Sequence, residues 1–140
     1  MIKIGILIPI YNDWQSVFKL LQNIDLQIDN LDCEISVLII NDASTEKKPD
    51  YDFTLKNIFS VKIINMNENK GHARCNAAGL KYVNEKKDFN YVIPMDGDGE
   101  DRPEELGSLI EKIKDYPDKV ITANRVKRSE GFIFKFCYLT

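Results

Sequence analysis

The sequence predicts an α/β fold, a mostly parallel sheet with helices on both of its faces. Short apolar runs alternate with stretches of helical period along the whole chain, the pattern of strand–helix–strand units that parallel pairing requires. The strand runs are apolar throughout rather than alternating, as strands covered on both faces must be. The length of 140 residues and a hydrophobic content of 44% suffice for one ordinary core, so a single domain over residues 1–140 is expected.

Lys3 to Ile10 is a continuous apolar run and reads as the first buried strand. Asn12 or Asp13 can cap the helix that follows, in which Trp14, Val17, Phe18, Leu21, Ile24 and Ile28 recur at helical spacing. Ile35 to Ile40 is a second strand, closed by the polar turn Asn41-Asp42-Ala43-Ser44-Thr45. Pro49 to Ser60 reads as a short or irregular helix. Val61 to Ile64 is a third strand, and the polar loop Asn65 to Gly71 follows it. Ala73, Ala77, Leu80 and Val83 mark a helix of small residues able to lie close against a sheet. Tyr91 to Met95 is a fourth strand. Pro103 suits a first helical turn and opens a helix carrying Leu106, Leu109, Ile110 and Ile113. Val120 to Ala123 is read as a fifth strand. The sequence stops at Thr140 inside an apolar stretch, which reads as a fragment or a shortened relative of a longer protein.

The formal net charge of -3 gives no reason to expect a nucleic-acid partner. The charge is nevertheless uneven. Asp96 to Glu105 carries a local balance of -5, and Lys119 to Lys135 one of +4. Such blocks suit a cation and the anion that accompanies it, or else two solvated faces. Cys33, Cys75 and Cys137 are odd in number and widely spaced. They suggest neither a disulfide framework nor structural zinc, and a reduced, cytosolic setting fits best. His72 is the only histidine, which excludes a multi-histidine metal site. The apolar start is too short for a signal peptide, and no stretch approaches the ~20 apolar residues that span a bilayer.

Open parallel sheets bind ligands beyond the carboxyl ends of their strands. The segments expected there are Pro9 to Asn12, Asn41 to Ser44, Asn65 to Gly71, Met95 to Asp101 and Ala123 to Arg125, which are also the richest in polar side chains. Asp96-Gly97-Asp98-Gly99-Glu100 places three carboxylates at alternate positions after a strand. Mg2+ or Mn2+ takes one or two carboxylates and keeps sites for water and phosphate, and the glycines allow tight turns and close approach. The plain alternative is an acidic turn before a helix N-terminus. The strand end, the third acid and Pro103 favour the metal site.

Other phosphate and metal motifs fail. An EF-hand loop starting at Asp96 would need Gly at Asp101 and Glu at Gly107. Neither a G-x-x-x-x-G-K-[ST] loop nor a G-x-G-x-x-G fingerprint occurs. Asp42 can accept hydrogen bonds from a base or ribose, or simply cap its turn. Lys70 and Arg74 can approach phosphate at a helix N-terminus, or be two solvated bases. Arg125 is a further candidate for diphosphate. Phe132, Phe134, Phe136 and Tyr138 alternate among nearby bases. That pattern fits a patch at a membrane interface or, more plainly, a core element.

Taken together, these segments resemble family 2 glycosyltransferases of the Rossmann-like GT-A fold. The matching landmarks are Ile8-Pro9-Ile10-Tyr11-Asn12, Ile40-Asn41-Asp42-Ala43-Ser44-Thr45 and the run from Asn67 to Leu80. Met95 to Leu106 resembles the D-x-D-x-Q-D-P-P-E element of the polyprenyl-phosphate branch, the dolichyl-phosphate mannosyltransferase type. Ala123 to Arg128 resembles its G-S-R-x-x-R. The resemblance implies an N-terminal donor-binding half only, with the C-terminal acceptor part missing. It implies that Pro9, Tyr11 and Asn12 line a nucleotide pocket and that Asp42 meets the base. Asp96 would contact ribose or metal, Asp98 and Glu100 would hold Mg2+ or Mn2+, and Arg125 would lie near a phosphate. Lys70 and Arg74 complete the nucleotide-binding candidates.

The implied activity is inverting transfer from a nucleoside-diphosphate sugar to a polyprenyl phosphate or a glycan. Its setting would be the cytoplasm or the inner face of the membrane, with peripheral membrane contact through the C-terminal segment. Asn41 in place of a frequent Asp, Glu100 in place of Gln and Arg102 in place of Pro depart from the pattern. No catalytic base can be named, and an anionic lipid phosphate would need none. Two rival readings are a nucleotide-binding module without transfer and a receiver-like α/β interaction domain.

Overall fold

The computed structural model describes residues 1–121. Thr122 and Ala123 of the expected fifth strand, Arg125 and the aromatic run Phe132 to Tyr138 lie outside the described residues. The chain divides into two compact units, Met1–Glu104 and Glu105–Thr140.

The first unit runs β1 (Ile2–Ile10), α1 (Trp14–Gln27), β2 (Cys33–Asn41), β3 (Ser60–Asn65), α2 (His72–Lys86) and β4 (Tyr91–Pro94). Its four strands lie in the order β3-β2-β1-β4, and every pairing is parallel. From β1 to β2 the chain steps one way across the sheet, and from β3 to β4 it steps back. Right-handed crossovers in opposite directions put α1 and α2 on opposite faces. Side chains agree. Leu7, Leu38 and Ile40 form one cluster with Cys75 and Val83 of α2. Side chains alternate along a strand, so Ile4, Ile6, Ile8 and Ile10 face the other way, and all four are buried. On α1 the stripe Val17, Leu21 and Ile24 is fully buried, each side chain contributing about 1.5–3 kcal/mol.

Residues 49–60 contain no helix, contrary to expectation. The backbone N–H groups of Lys56, Asn57 and Ile58 donate to the Asp25 carboxylate of α1 at 2.8–3.1 Å, not to carbonyls one turn back. The segment is thus a strap across α1. Trp14 Nε1 donates to the Glu46 carbonyl at 3.2 Å, and Phe18 meets Tyr51 and Phe53 edge-on.

Two further expectations change in detail. Asp13 occupies the N-cap of α1, but no side chain caps that helix: Asp13 Oδ2 accepts from the Tyr11 N–H instead, and the Asn12 amide is engaged across the loop. The stripe of α2 is also rotated. Cys75, Gly79 and Val83 are its buried residues, whereas Ala73, Ala77 and Leu80 are exposed. Close approach belongs to Gly79, where a Cβ would lie 2.5 Å from Leu7 Cδ1.

In the second unit α3 (Leu106–Asp115) buries Leu106, Ile110 and Ile113, after a 3-10 turn from Pro103 to Glu105. Val120 and Ile121 are not strand. Val120 is 65% exposed, and no strand pairing reaches either residue among those described. Among the described residues no helix is long and apolar enough to cross a membrane.

Candidate functional site

Parallel strands end on one side, so the loops after β1, β2, β3 and β4 gather along one edge. Backbone bonds carry the sheet a step further there: Asp42 N–H donates to the Ile10 carbonyl at 2.9 Å, and Met95 N–H to that of Leu7 at 2.9 Å.

The first two loops are fastened to each other. Asn12 holds a left-handed backbone, with φ 60°. Its N–H donates to Ser44 Oγ at 2.9 Å, its Nδ2 to Thr45 Oγ1 at 3.0 Å, and its Oδ1 accepts from Glu46 N–H at 2.9 Å. Asn41 Nδ2 donates to Asn65 Oδ1 at 2.9 Å while its Oδ1 accepts from Ser44 N–H. An aspartate could accept but not donate, which accounts for the amide here. Asp42 is only 4% exposed. Its two oxygens accept from the N–H groups of Lys70 and Gly71 at 2.8 and 2.9 Å, bracing the turn that starts α2.

The acid loop follows β4. A Cβ on Gly97 would sit 3.0 Å from Ile10 and 3.3 Å from the Pro9 carbonyl, so the loop lies tight beneath the end of β1. Gly99 has φ +87° with open space around it, a conformation that glycine adopts at no steric cost. Asp96 N–H donates to Asp101 Oδ2 at 2.8 Å, and Glu100 N–H to Asp98 Oδ1 at 2.9 Å. This folding brings one carboxylate oxygen each from Asp96, Asp98 and Glu100 within 4.8 Å of one another. Burial and the charge of Asp101 push the Asp96 carboxyl above its usual range; His72 opposes, and Asp98 and Glu100 add to the rise. Crowded carboxylates of this kind fit a hard divalent cation, which removes their repulsion.

Pro9, Asp13, His72, Asp96, Gly97 and Asp98 line an open cleft of about 310 Å³. Of the residues predicted from sequence, Pro9, Asp96 and Asp98 line it, and Glu100 joins through the acid cluster. Asn12 and Asp42 brace the loops behind it. Tyr11 is 43% exposed and Arg74 is exposed. The Lys70 ammonium pairs with Glu68. None of these last three lines the cleft. Arg125 lies outside the described residues.

Asp13 and His72 were missed. Asp13 looked like a cap, and a lone histidine at a helix start carries no sequence signal. His72 Nε2 lies 3.2 Å from Asp96 Oδ1. Cys75 is buried beside these loops, but burial and the Asp42 charge push its thiol up to about 11. It therefore stays protonated and unreactive at neutral pH.

Known proteins match the chain over most of its length. The chain is 28% identical over 142 residues to an uncharacterised glycosyltransferase of Synechocystis, covering 96% of this chain and 42% of that protein. It is 28% identical over 125 residues to a dolichol-phosphate mannosyltransferase of Pyrococcus furiosus, covering 89% and 34%. An undecaprenyl-phosphate 4-deoxy-4-formamido-L-arabinose transferase of Erwinia tasmaniensis is 26% identical over 140 residues, covering 93% and 39%. The chain thus spans about two-fifths or less of the length of these relatives. The crystal structure of S. aureus TarS 1-349 with UDP-GlcNAc superposes with a TM-score of 0.61 at 19% identity, over 91% of this chain and 39% of that one. That likeness supports the GT-A fold expected from the sequence. Residues 5–136 match the profile of glycosyl transferase family 2, which displaces the receiver-like reading: the chain belongs to glycosyl transferase family 2.

Proposed function

We propose that this chain forms the nucleotide-sugar donor half of an inverting, metal-dependent glycosyltransferase. The observation that carries the reading is the convergence of Asp96, Asp98 and Glu100 beside Pro9, at the carboxyl edge of the sheet. Asp98 and Glu100 are the ligands assigned to Mg2+ or Mn2+, with Asp96 shared between cation and ribose. A cation held there would neutralise the diphosphate's charge as it departs. Pro9, Tyr11 and Asn12 form the nucleotide side, Lys70 and Arg74 supply positive charge near its phosphates, and Arg125 is assigned to a phosphate. Asp42 serves the base side, where its bonds to Lys70 and Gly71 make it a brace as well.

In the proposed reaction an acceptor oxygen attacks the anomeric carbon from the face opposite the diphosphate. One C–O bond forms as the other breaks, and configuration inverts. Two relatives are named for polyprenyl-phosphate chemistry, which supports a lipid phosphate as acceptor ahead of a glycan, at the inner face of the membrane. A lipid phosphate is already anionic, so no strong base is required of this chain.

Titration calorimetry with UDP tests the donor half directly. Mn2+ is expected to strengthen UDP binding, and Asp98→Ala to weaken the Mn2+-dependent part by about 100-fold, roughly 2.7 kcal/mol. Equal binding by the variant would remove Asp98 from the metal role. No Mn2+ effect in the unaltered chain would sink the metal-dependent reading.

A further inference from the structure

We propose that His72 is a positioning residue of the acid loop, engaging Asp96 Oδ1 so that Oδ2 is the oxygen presented to the cation. The proposal rests on the donor-site reading above. His72 is the first residue of α2; its Nε2 lies 3.2 Å from Asp96 Oδ1, and it lines the same cleft. At that distance an Nε2–H aimed at Oδ1 can donate to the carboxylate.

The placement of His72 is determined from behind. The Asp42 carboxylate, just after β2, holds Lys70 N–H and Gly71 N–H, Gly71 turns the chain with φ +87°, and His72 follows at once. One turn along α2, Asn76 Nδ2 lies 3.2 Å from the same His72 nitrogen. Asn76 Oδ1 is buried with no partner. A half-turn of that amide, whose two ends are nearly the same shape, puts the orphaned oxygen onto the Nε2–H. Nε2–H then faces both Asp96 Oδ1 and Asn76 Oδ1, while the amide nitrogen takes the buried place the oxygen left.

The consequence is a continuous path from the end of β2, through the start of α2, to the first acid after β4. Asp96 would otherwise swing freely beside Asp98, Glu100 and Asp101, whose charges repel it. Groups that orient a ligating carboxylate are worth about 10–100-fold in metal affinity. His72 and Asp96 side chains are 59% and 40% exposed, which points to the lower end of that range.

The test is UDP titration of the full chain with and without Mn2+. Wild type, Asp98→Ala, His72→Ala and His72→Gln are compared, and the melting temperature of each is measured. The expected result for His72→Ala is an approximately tenfold loss in Mn2+-dependent UDP affinity, with metal-free affinity unchanged. His72→Gln, which keeps an N–H donor, should recover most of it. A residue that only stabilised the helix would move the melting temperature and both affinities alike. Unchanged Mn2+-dependent affinity in His72→Ala, with the loss still present in Asp98→Ala, overturns the positioning role alone. Equal loss in the metal-free arm also overturns it, since His72 would then touch the nucleotide itself. Absence of any Mn2+ effect in wild type removes the metal-dependent reading and this proposal with it. Should His72→Ala fail to fold, His72→Gln against His72→Leu decides by the same criterion.

Discussion

The strap across α1 and the acid loop after β4 each turn on a carboxylate drawn partly out of water, and the two have opposite surroundings. Burial pushes Asp25 up, but the N–H donors of Lys56, Ile58 and Asn57 and the Lys56 charge outweigh it, so the group lies below the usual carboxylate range. Burial pushes Asp96 up as well, and there the neighbours Asp101, Asp98 and Glu100 add to the rise while, among the described residues, His72 opposes it. The fold supplies partners to the first carboxylate and rivals to the second. A carboxylate whose lone pairs are filled by backbone N–H groups holds a loop. Carboxylates gathered against one another at a cleft suit a positive charge held between them.

That contrast can be tested by substitution. The largest stability effect is expected from Asp25→Ala, on the order of 3 kcal/mol, because three backbone donors lose a charged acceptor together. Urea unfolding measures it. A midpoint equal to the unaltered chain's would mean that the aromatic contacts of Phe18, Tyr51 and Phe53 hold the strap without Asp25.

Acid gives a graded version. The folded pKa of Asp25 is depressed, so its stabilisation is full above the unfolded value near ~3.9 and is lost as pH falls toward the folded one. Between about pH 5 and 3 the unaltered chain should therefore lose urea resistance more steeply than Asp25→Asn. Parallel slopes would remove Asp25 from the acid response.

The smallest stability effect sharpens the other side. Asp98→Asn relieves like-charge repulsion and removes no fold-holding bond beyond the Glu100 N–H contact. Its melting temperature should stay level or rise slightly, although Mn2+-dependent UDP binding falls. A clear drop would make Asp98 a structural acid like Asp25.

Much of the fold was legible because burial on both faces leaves a local trace. The apolar runs at Lys3–Ile10 and Ile35–Ile40 became β1 and β2, and the stripe Val17, Leu21, Ile24 became the buried side of α1. The strap was misread because its hydrogen bonds go to Asp25, 31 to 33 residues away, and no local window contains that partner. The stripe on α2 was misplaced by its alanines, which suit a tight face and an exposed one equally; the contact with Leu7 selects Gly79.

The acid triplet and its glycines were visible in the sequence, since alternate carboxylates after a strand are a local pattern. The family was visible in the order and spacing of its segments. Tertiary structure alone decided which acids crowd and which are satisfied. Asp42 and Asp96 look alike as acids at strand ends, yet the first is closed by Lys70 and Gly71 and the second meets His72 across the cleft. Only the parallel sheet brings residues 42, 72 and 96 to one edge. The field around each carboxylate is therefore a property of the fold, because it depends on distances that the chain acquires only when its strands pair.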